Sequence, residues 1–259
     1  MRRMIDSFEI PGFHLKAKLY LVSYVSQGLV VRGYLAVPRG EGPFPLLVYC
    51  RGGIKNVGMT KLAWVSQFVE QGYVVFAPFY RGNRGGEGRE DFGGDDRHDV
   101  LEAVPWLKEL PMVDPFRMHV FGFSRGSLPA LYSAMQYPFF RSVTVWGGVS
   151  DMVLTYEERE DLRRMLKRVI SGPPWKKPEE YERRSPLYRV EELPCPVLII
   201  HGADDRLVGV EHAYRLAEAL REAGKSHTLR IYEGLGHLFP LVEREKAVRD
   251  MFAWMERQE

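Results

Sequence analysis

The chain has 259 residues, of which 45% are hydrophobic, and its 36 Lys and Arg residues nearly balance its 34 Asp and Glu residues. This length and apolar fraction suit one α/β domain with a large buried core. A net charge of +2, with no long run of like charges, argues against a nucleic-acid-binding or membrane-surface protein.

Cysteine usage and the N-terminal residues bear on the cell compartment. Cys50 and Cys195 both lie in strand-like apolar runs, so we expect buried free thiols rather than a disulfide. Acidic residues and a proline interrupt the N-terminal region, which therefore does not resemble a signal peptide. No window reaches the ~18 apolar residues that a transmembrane helix needs. These patterns predict a cytoplasmic protein without a membrane partner.

The sequence predicts two kinds of strand. Residues 18–25 and 29–37 alternate between apolar and polar side chains around a turn at Gln27-Gly28, which predicts an antiparallel hairpin. Continuous apolar runs follow, and these are typical of strands buried on both faces. The runs lie at residues 46–50, 74–78, 118–123, 143–146 and 197–201, and a last strand is predicted at 228–232.

Helical periodicity fills the gaps between these strands. Apolar residues recur at helical spacing in four segments, at residues 61–71, 99–110, 211–223 and 244–257. Alternating strands and helices predict an α/β fold, with a mostly parallel sheet of about eight strands and helices on both faces. One domain of residues 1–259 is the simplest division. Ligands bind such sheets at the carboxyl ends of the strands.

A charged segment at residues 151–190 breaks the alternation. It contains Glu157-Glu158-Arg159-Glu160-Asp161 and predicts one or two short helices inserted between strands. Such charge runs are usually a solvated surface excursion. We favour a small helical cap over the functional site, because an insertion at this point lies above the strand ends.

The pentapeptide Gly122-Phe123-Ser124-Arg125-Gly126 is the most informative motif of the chain. It stands between a predicted strand and a helical segment, so Ser124 is expected at a sharp turn that lifts its hydroxyl out of the sheet. Glycines are required on both sides because a side chain there would collide with the neighbouring strand or helix. Ser124 is therefore predicted to be a nucleophile.

A serine nucleophile needs a base, and that base needs an orienting acid. Of the seven histidines, His237 follows the last predicted strand in a glycine-containing loop and precedes a helix, so we expect it to be the base. His119 and His201 lie within apolar strands and are expected in the core. His98 and His212 fall in helical segments and are expected to be exposed.

Two adjacent aspartates are candidates for the acid. Asp204 and Asp205 follow the strand at residues 197–201, and their position does not separate them. The chain order serine, aspartate, histidine is the order expected for this type of fold. Either aspartate could instead cap a helix or form a loop salt bridge.

The oxyanion of such a reaction needs two backbone N–H donors. Arg125, which follows the nucleophile, is expected to supply one donor. Gly53 or Gly52, in the loop after the strand at residues 46–50, is expected to supply the other. The alternative for this Gly-Gly pair is a simple tight turn.

Together these motifs resemble the α/β-hydrolase superfamily, and within it the catalytic domain of the prolyl oligopeptidase family. The resemblance covers about residues 30–257 and selects Asp205 as the acid. The stretches that carry it are Arg51-Gly52-Gly53, where the family usually has His-Gly-Gly, the loop Tyr80–Gly88, Gly202-x-x-Asp205-x-x-Val208, Gly236-His237-x-Phe239 and Ser185-Pro186.

The resemblance implies serine hydrolase chemistry with no metal or organic cofactor. Peptidases of the family carry an N-terminal β-propeller, whereas only about 40 residues precede the first buried strand here. We therefore expect no propeller and favour hydrolysis of small carboxylic esters through an acyl-enzyme. An oligopeptidase or aminopeptidase is the second hypothesis, and a non-catalytic binding protein of the same fold is the third.

Specificity residues are harder to predict. Aromatic and arginine side chains expected near the strand ends are candidates for a substrate pocket, namely Arg51, Tyr80, Trp146 and Trp175. The alternative is that the loop arginines pair with acidic residues of the same loops and that the aromatic residues lie in the core. The expected partner is a small ester or a short peptide, and a homodimer through an edge strand stays open.

Overall fold

A computed structural model describes residues 4–259, which form one nine-stranded sheet in the order β1-β2-β3-β5-β4-β6-β7-β8-β9. The strands β1 to β3 and the β3–β5 pair are antiparallel, and the other pairs are parallel. The strands are β1 Met4–His14, β2 Ala17–Ser26, β3 Leu29–Pro38, β4 Phe44–Cys50, β5 Val74–Pro78, β6 Val113–Phe123, β7 Phe140–Trp146, β8 Val197–Gly202 and β9 His227–Tyr232.

The predicted α/β-hydrolase fold is therefore confirmed, with one strand more than expected. Strand β1 is the addition, and it pairs only with β2 at the edge of the sheet. Most of its residues are exposed, and Pro11 and Gly12 lie within it. A strand whose residues are at most half-buried leaves little apolar pattern in the sequence, and proline is tolerated at a sheet edge.

Helices cover both faces of the sheet. One face carries α1 and α9, and the other carries α2, α3, α4 and α8. The helices are α1 Leu62–Val69, α2 His98–Leu101, α3 Val104–Lys108, α4 Ser127–Gln136, α5 Met152–Glu158, α6 Arg163–Val169, α7 Pro178–Glu182, α8 Glu211–Glu222 and α9 Leu241–Glu256.

The helix predicted at residues 99–110 is broken in two. Helix α2 ends at Leu101, and α3 begins at Val104 with Pro105 in its first turn. Proline has no N–H to donate and its ring clashes with the carbonyl four residues earlier, so it fits the start of a helix but not the middle. The apolar period continues across the break because both short helices pack on the same face of the sheet.

The segment at residues 151–190 folds into three short α-helices, α5 to α7, with 3-10 turns between and after them. It has a small apolar cluster of its own, which includes Met152, Tyr156, Leu166 and Tyr181. Val208, on the loop after β8, belongs to the same cluster, so the segment packs against the carboxyl ends of the strands. A purely solvated excursion would not bury these side chains.

The predictions about the cysteines and about membrane helices can be compared with the structure. Cys50 and Cys195 are buried free thiols, as predicted. Within residues 4–259, no helix combines the length and the apolar character that crossing a membrane requires.

The core beneath α1 and α9 offers a test of this packing. Phe68 is fully buried and contacts the rings of Tyr49, Phe121 and Phe252 edge-on or at a tilt. We expect Phe68→Ala to lower the free energy of unfolding by about 3–5 kcal/mol in denaturant titrations, because it removes the ring and leaves a cavity. Phe116→Ala, at a site that is 81% exposed, is the control and should change it by less than ~0.5 kcal/mol.

Candidate active site

Ser124 lies at a strained turn at the end of the central strand β6. Its backbone has φ 56°, in the left-handed region, and a 3-10 turn over Ser124–Gly126 leads directly into α4. A non-glycine residue in such a conformation costs of order 1–3 kcal/mol, which the surrounding structure has to supply. This is the sharp strand-to-helix turn that the sequence predicts.

The flanking glycines are required by close backbone contacts. A Cβ atom on Gly122 would lie 2.6 Å from the carbonyl oxygen of Gly126, and one on Gly126 would lie 2.0 Å from the carbonyl oxygen of Cys50. Both distances are impossible for real atoms, so neither position accepts a side chain. The turn is therefore wedged between its own helix and strand β4.

Asp205 and His237 meet across the loops that follow β8 and β9. The Nδ1 atom of His237 lies 2.7 Å from Oδ2 of Asp205. The other carboxylate oxygen of Asp205 accepts the backbone N–H groups of Leu207 at 2.8 Å and Val208 at 3.0 Å. Asp204 is exposed, whereas Asp205 is buried. The structure therefore brings Asp205, and not its neighbour, to the histidine.

The environment of Asp205 favours its ionised form. Burial on its own would raise the pKa of this carboxyl group, but the hydrogen bond and charge of His237 and the two backbone N–H donors outweigh burial and lower the pKa. A carboxylate that remains ionised can fix the orientation of an imidazole ring and stabilise its protonated form.

Ser124 and His237 line the same cavity, which has a volume of about 360 Å³. The ring of Phe123 packs at 4.9 Å from the His237 ring. Gly147, directly after β7, has φ +51°, and a Cβ atom there would approach Nδ1 of His237 to 3.2 Å and Oδ2 of Asp205 to 3.3 Å. Gly147 is not among the predicted site residues, because its only signal in the sequence is its place at a strand end.

The predicted oxyanion-hole residues also lie at this cavity. Gly52, Gly53 and Arg125 all line it. A Cβ atom on Gly52 would lie 2.7 Å from Cβ of Ser124, so the backbone of this loop passes directly beside the serine. Gly53 has φ +64°, a conformation that favours glycine.

The side chain of Arg125 is held in a buried ionic network. Its guanidinium group lies 2.7 Å from Glu90 and 2.9 Å from Asp96. The same Oε1 atom of Glu90 lies 2.8 Å from Arg51. Burial works to lower the pKa of Arg125, but the two carboxylates beside it raise the pKa above its ordinary value. The Arg125 side chain is therefore permanently charged, and its two carboxylate partners fix its position.

The four predicted pocket residues do not line the cavity. Arg51 is buried and donates to Glu90 and to the carbonyl oxygen of Phe79. The hydroxyl of Tyr80 donates to the carbonyl of Arg51. Trp146 lies in the core. Trp175 is 73% exposed, and its ring contacts the ring of Tyr156. The alternative interpretation, in which loop arginines pair with loop acids, describes Arg51.

Other residues line the cavity instead, and most are apolar. They come from the loops after β4, β5, β7, β8 and β9, from helices α1 and α8, and from helix α5 and the turn after it. They include Ile54, Val57, Met59, Trp64, Phe92, Val149, Thr155, Glu158, Arg159, Leu162, Leu207, His212 and Leu238.

His212 corrects an expectation from the sequence. It is 1% exposed rather than solvent-facing, and it lines the cavity. Its Nδ1 atom accepts the backbone N–H of Ser150 at 3.2 Å, and burial lowers its pKa to about 3. It is therefore a neutral imidazole with its proton on Nε2. The sequence places it on α8 but gives no sign of the segment that covers that helix.

Comparison with known proteins identifies the family of this chain. Residues 60–258 match the model of the prolyl oligopeptidase family. "Uncharacterized peptidase YtmA" of Bacillus subtilis (strain 168) is 47% identical over 252 residues, which cover 97% of each chain. The chain belongs to the prolyl oligopeptidase family. The family and this peptidase relative make the protein a serine hydrolase of the peptidase-like class.

Solved structures support the fold of this family member. An acylaminoacyl peptidase from Pyrococcus horikoshii matches 99% of this chain with a TM-score of 0.80 at 20% identity, and this chain spans 42% of that one. Acetyl xylan esterase 1 from Thermoanaerobacterium matches 96% of this chain and 87% of its own, with a TM-score of 0.75 at 16% identity. At such identities these neighbours establish the fold alone.

The buried network beside Ser124 can be tested through its shared carboxylate. Glu90→Gln leaves Arg51 and Arg125 without a common anion, so we expect the free energy of unfolding to fall by about 3–5 kcal/mol. Denaturant titration measures this loss. Glu109→Gln, on an exposed residue at the end of α3, is the control. Equal stability of the two variants would contradict this role of Glu90.

Proposed function

We propose that Ser124, His237 and Asp205 form the catalytic triad and that the protein hydrolyses small carboxylic esters through an acyl-enzyme. The observation that carries the proposal is the 2.7 Å contact between His237 and Asp205 beside a cavity that Ser124 and His237 share. Because Nδ1 of His237 is engaged with Asp205, Nε2 is the atom available to accept a proton from the serine.

In the proposed reaction, Oγ of Ser124 attacks the ester carbonyl carbon and its proton passes to Nε2 of His237. The carbonyl oxygen becomes an oxyanion, which the backbone N–H groups of Arg125 and of Gly53 or Gly52 stabilise. Collapse of this intermediate breaks the bond to the alcohol, which leaves with the proton from His237. Water then attacks the acyl-enzyme with His237 as base, and this step releases the acid and restores Ser124.

The cavity suits a small acyl or alkoxy group. Its volume of about 360 Å³ is at the low end of ligand-binding pockets, and its walls are mainly apolar. Helix α5 and the turn after it supply part of the wall, through Thr155, Glu158, Arg159 and Leu162. We propose that residues 151–190 are a cap that limits the size of the group bound beside Ser124.

Peptide hydrolysis is the second candidate function. It is supported by the family and by the relative from Bacillus subtilis, which is described as a peptidase. Steady-state kinetics with nitrophenyl esters and aminoacyl nitroanilides that share one acyl group would decide between the two. Values of kcat/KM for the anilides that rival those for the esters would favour a peptidase.

The triad itself is tested by removing each member. Ser124→Ala should lower kcat for p-nitrophenyl butyrate by at least ~10⁴-fold and abolish labelling by a fluorophosphonate probe, because the nucleophile is gone. His237→Ala should have a similar effect on kcat, and Asp205→Asn should lower kcat by about 10⁴-fold.

Ser66→Ala, on helix α1, is the control and should retain wild-type kinetics. Turnover by Ser124→Ala at the wild-type rate would rule out Ser124 as the nucleophile. Normal labelling of Ser124 combined with no cleavage of any ester or anilide would point to an unrecognised substrate class instead.

A further inference from the structure

Glu158 introduces a carboxylate into a cavity with mainly apolar walls. It is the last residue of α5 and lines the cavity that contains Ser124 and His237. Its side chain is 29% exposed, so it is only partly shielded from solvent and can be reached from the cavity. A carboxylate at the C-terminal end of a helix faces the negative end of the helix dipole, which is unfavourable for stability.

The groups next to the Glu158 carboxylate are neutral. Oε2 accepts the backbone N–H of Gly209 at 3.1 Å, and the carboxylate packs against Gly209, where a Cβ atom would lie 2.5 Å from Oε1. Nε2 of His212 lies 3.7 Å from Oε2, and the low pKa of His212 keeps this ring uncharged. These contacts hold the carboxylate in place without neutralising it.

The nearby arginines are committed to other partners. Arg159 lies next to Glu158 in the chain, but its guanidinium group binds Asp161 at 2.7 Å and the carbonyl oxygen of Leu207. Arg125 binds Glu90 and Asp96.

Two further basic residues do not neutralise Glu158. Lys61, the remaining cation lining the cavity, is solvent-exposed. Arg215 acts on Glu158 at longer range, and it is paired with Glu211 and Asp151. Partial burial raises the pKa of Glu158 above its ordinary value, which agrees with a carboxylate that has lost part of its hydration and has no cation in contact.

We infer that Glu158 is a specificity-determining residue that binds a positively charged amino group of the substrate while the acyl carbonyl lies at Ser124. An ammonium group would supply the cation that the carboxylate lacks and the hydrogen-bond donors that it can accept. The substrate class is then esters or amides with a protonated amine near the scissile carbonyl, such as aminoacyl compounds. This inference rests on the proposed function of Ser124.

A matched substrate pair isolates the charge. Alanyl p-nitroanilide and isobutyryl p-nitroanilide differ by an ammonium group in place of a methyl group of similar size. We expect the wild-type protein to prefer the alanyl compound in kcat/KM. Glu158→Gln should lower this preference at least tenfold, because it removes the negative charge and keeps the shape of the side chain.

Glu157→Gln is the matched control, since Glu157 is an exposed neighbour on the same helix and does not line the cavity. It should keep the wild-type preference. A preference that is the same in Glu158→Gln and the wild-type protein would overturn the inference, and so would a wild-type preference for the isobutyryl compound. Glu158→Ala serves as the second variant if thermal melting finds that Glu158→Gln does not fold.

Binding separates this inference from the proposed catalysis. Calorimetry with both anilides on Ser124→Ala, and on Ser124→Ala combined with Glu158→Gln, needs no turnover. Selective binding of the alanyl compound that is lost in the double variant supports the role of Glu158, even if the wild-type protein cleaves neither anilide. Equal binding of the two compounds to Ser124→Ala overturns it, whatever the outcome for the triad.

Discussion

The geometry around Ser124 depends on one buried ionic interaction. The carboxylate of Glu90 is shared between the guanidinium groups of Arg51 and Arg125. Charges this deeply buried are tolerated only when they are paired, and removal of one partner leaves the others uncompensated. Arg51 begins the glycine loop beside Ser124, and Arg125 follows the serine directly. One buried anion thus ties two loops that belong to different strands.

Close backbone contacts, together with this ionic interaction, fix the position of Ser124. The turn at Ser124 is held in a strained conformation because the backbone of strand β4 and of its following loop leaves it no room to relax. Gly52 and Gly126 form the contacts between this turn and strand β4 with its loop, and Gly122 packs against the start of α4. Each of these glycines lacks space for one more carbon atom. Packing at these three glycines therefore offsets the backbone strain at Ser124.

The sequence carries the fold and the chemical groups of the site more clearly than it carries the shape of the pocket. Continuous apolar runs predict the central parallel strands. Motifs at strand ends predict Ser124 and His237, because these patterns are local. They limit the acid to Asp204 or Asp205, and the resemblance to the family motif selects Asp205. Strand β1 is not predicted from the sequence, because an exposed edge strand has little apolar pattern.

The pocket depends on contacts between distant segments. His212 and Glu158 lie far apart in the sequence, and only the packing of residues 151–190 on the strand ends brings them to one wall. Arg51 and Trp146 are predicted to line the pocket because they lie close to strand ends in the sequence. Their side chains point instead into the ionic network and the core, and local sequence does not encode that choice.

The order of the strands has a consequence for thermal inactivation. Ser124 is attached to β6, which lies in the middle of the sheet and is buried over residues 118–122. His237 follows β9, an edge strand in which every residue is only half-buried. Edge elements open with a smaller free energy than central ones. Fraying of β9 would carry the histidine away while the serine stays in place. On the proposed role of His237, heating would then abolish activity before the core unfolds, and cooling would restore activity without refolding of the whole chain.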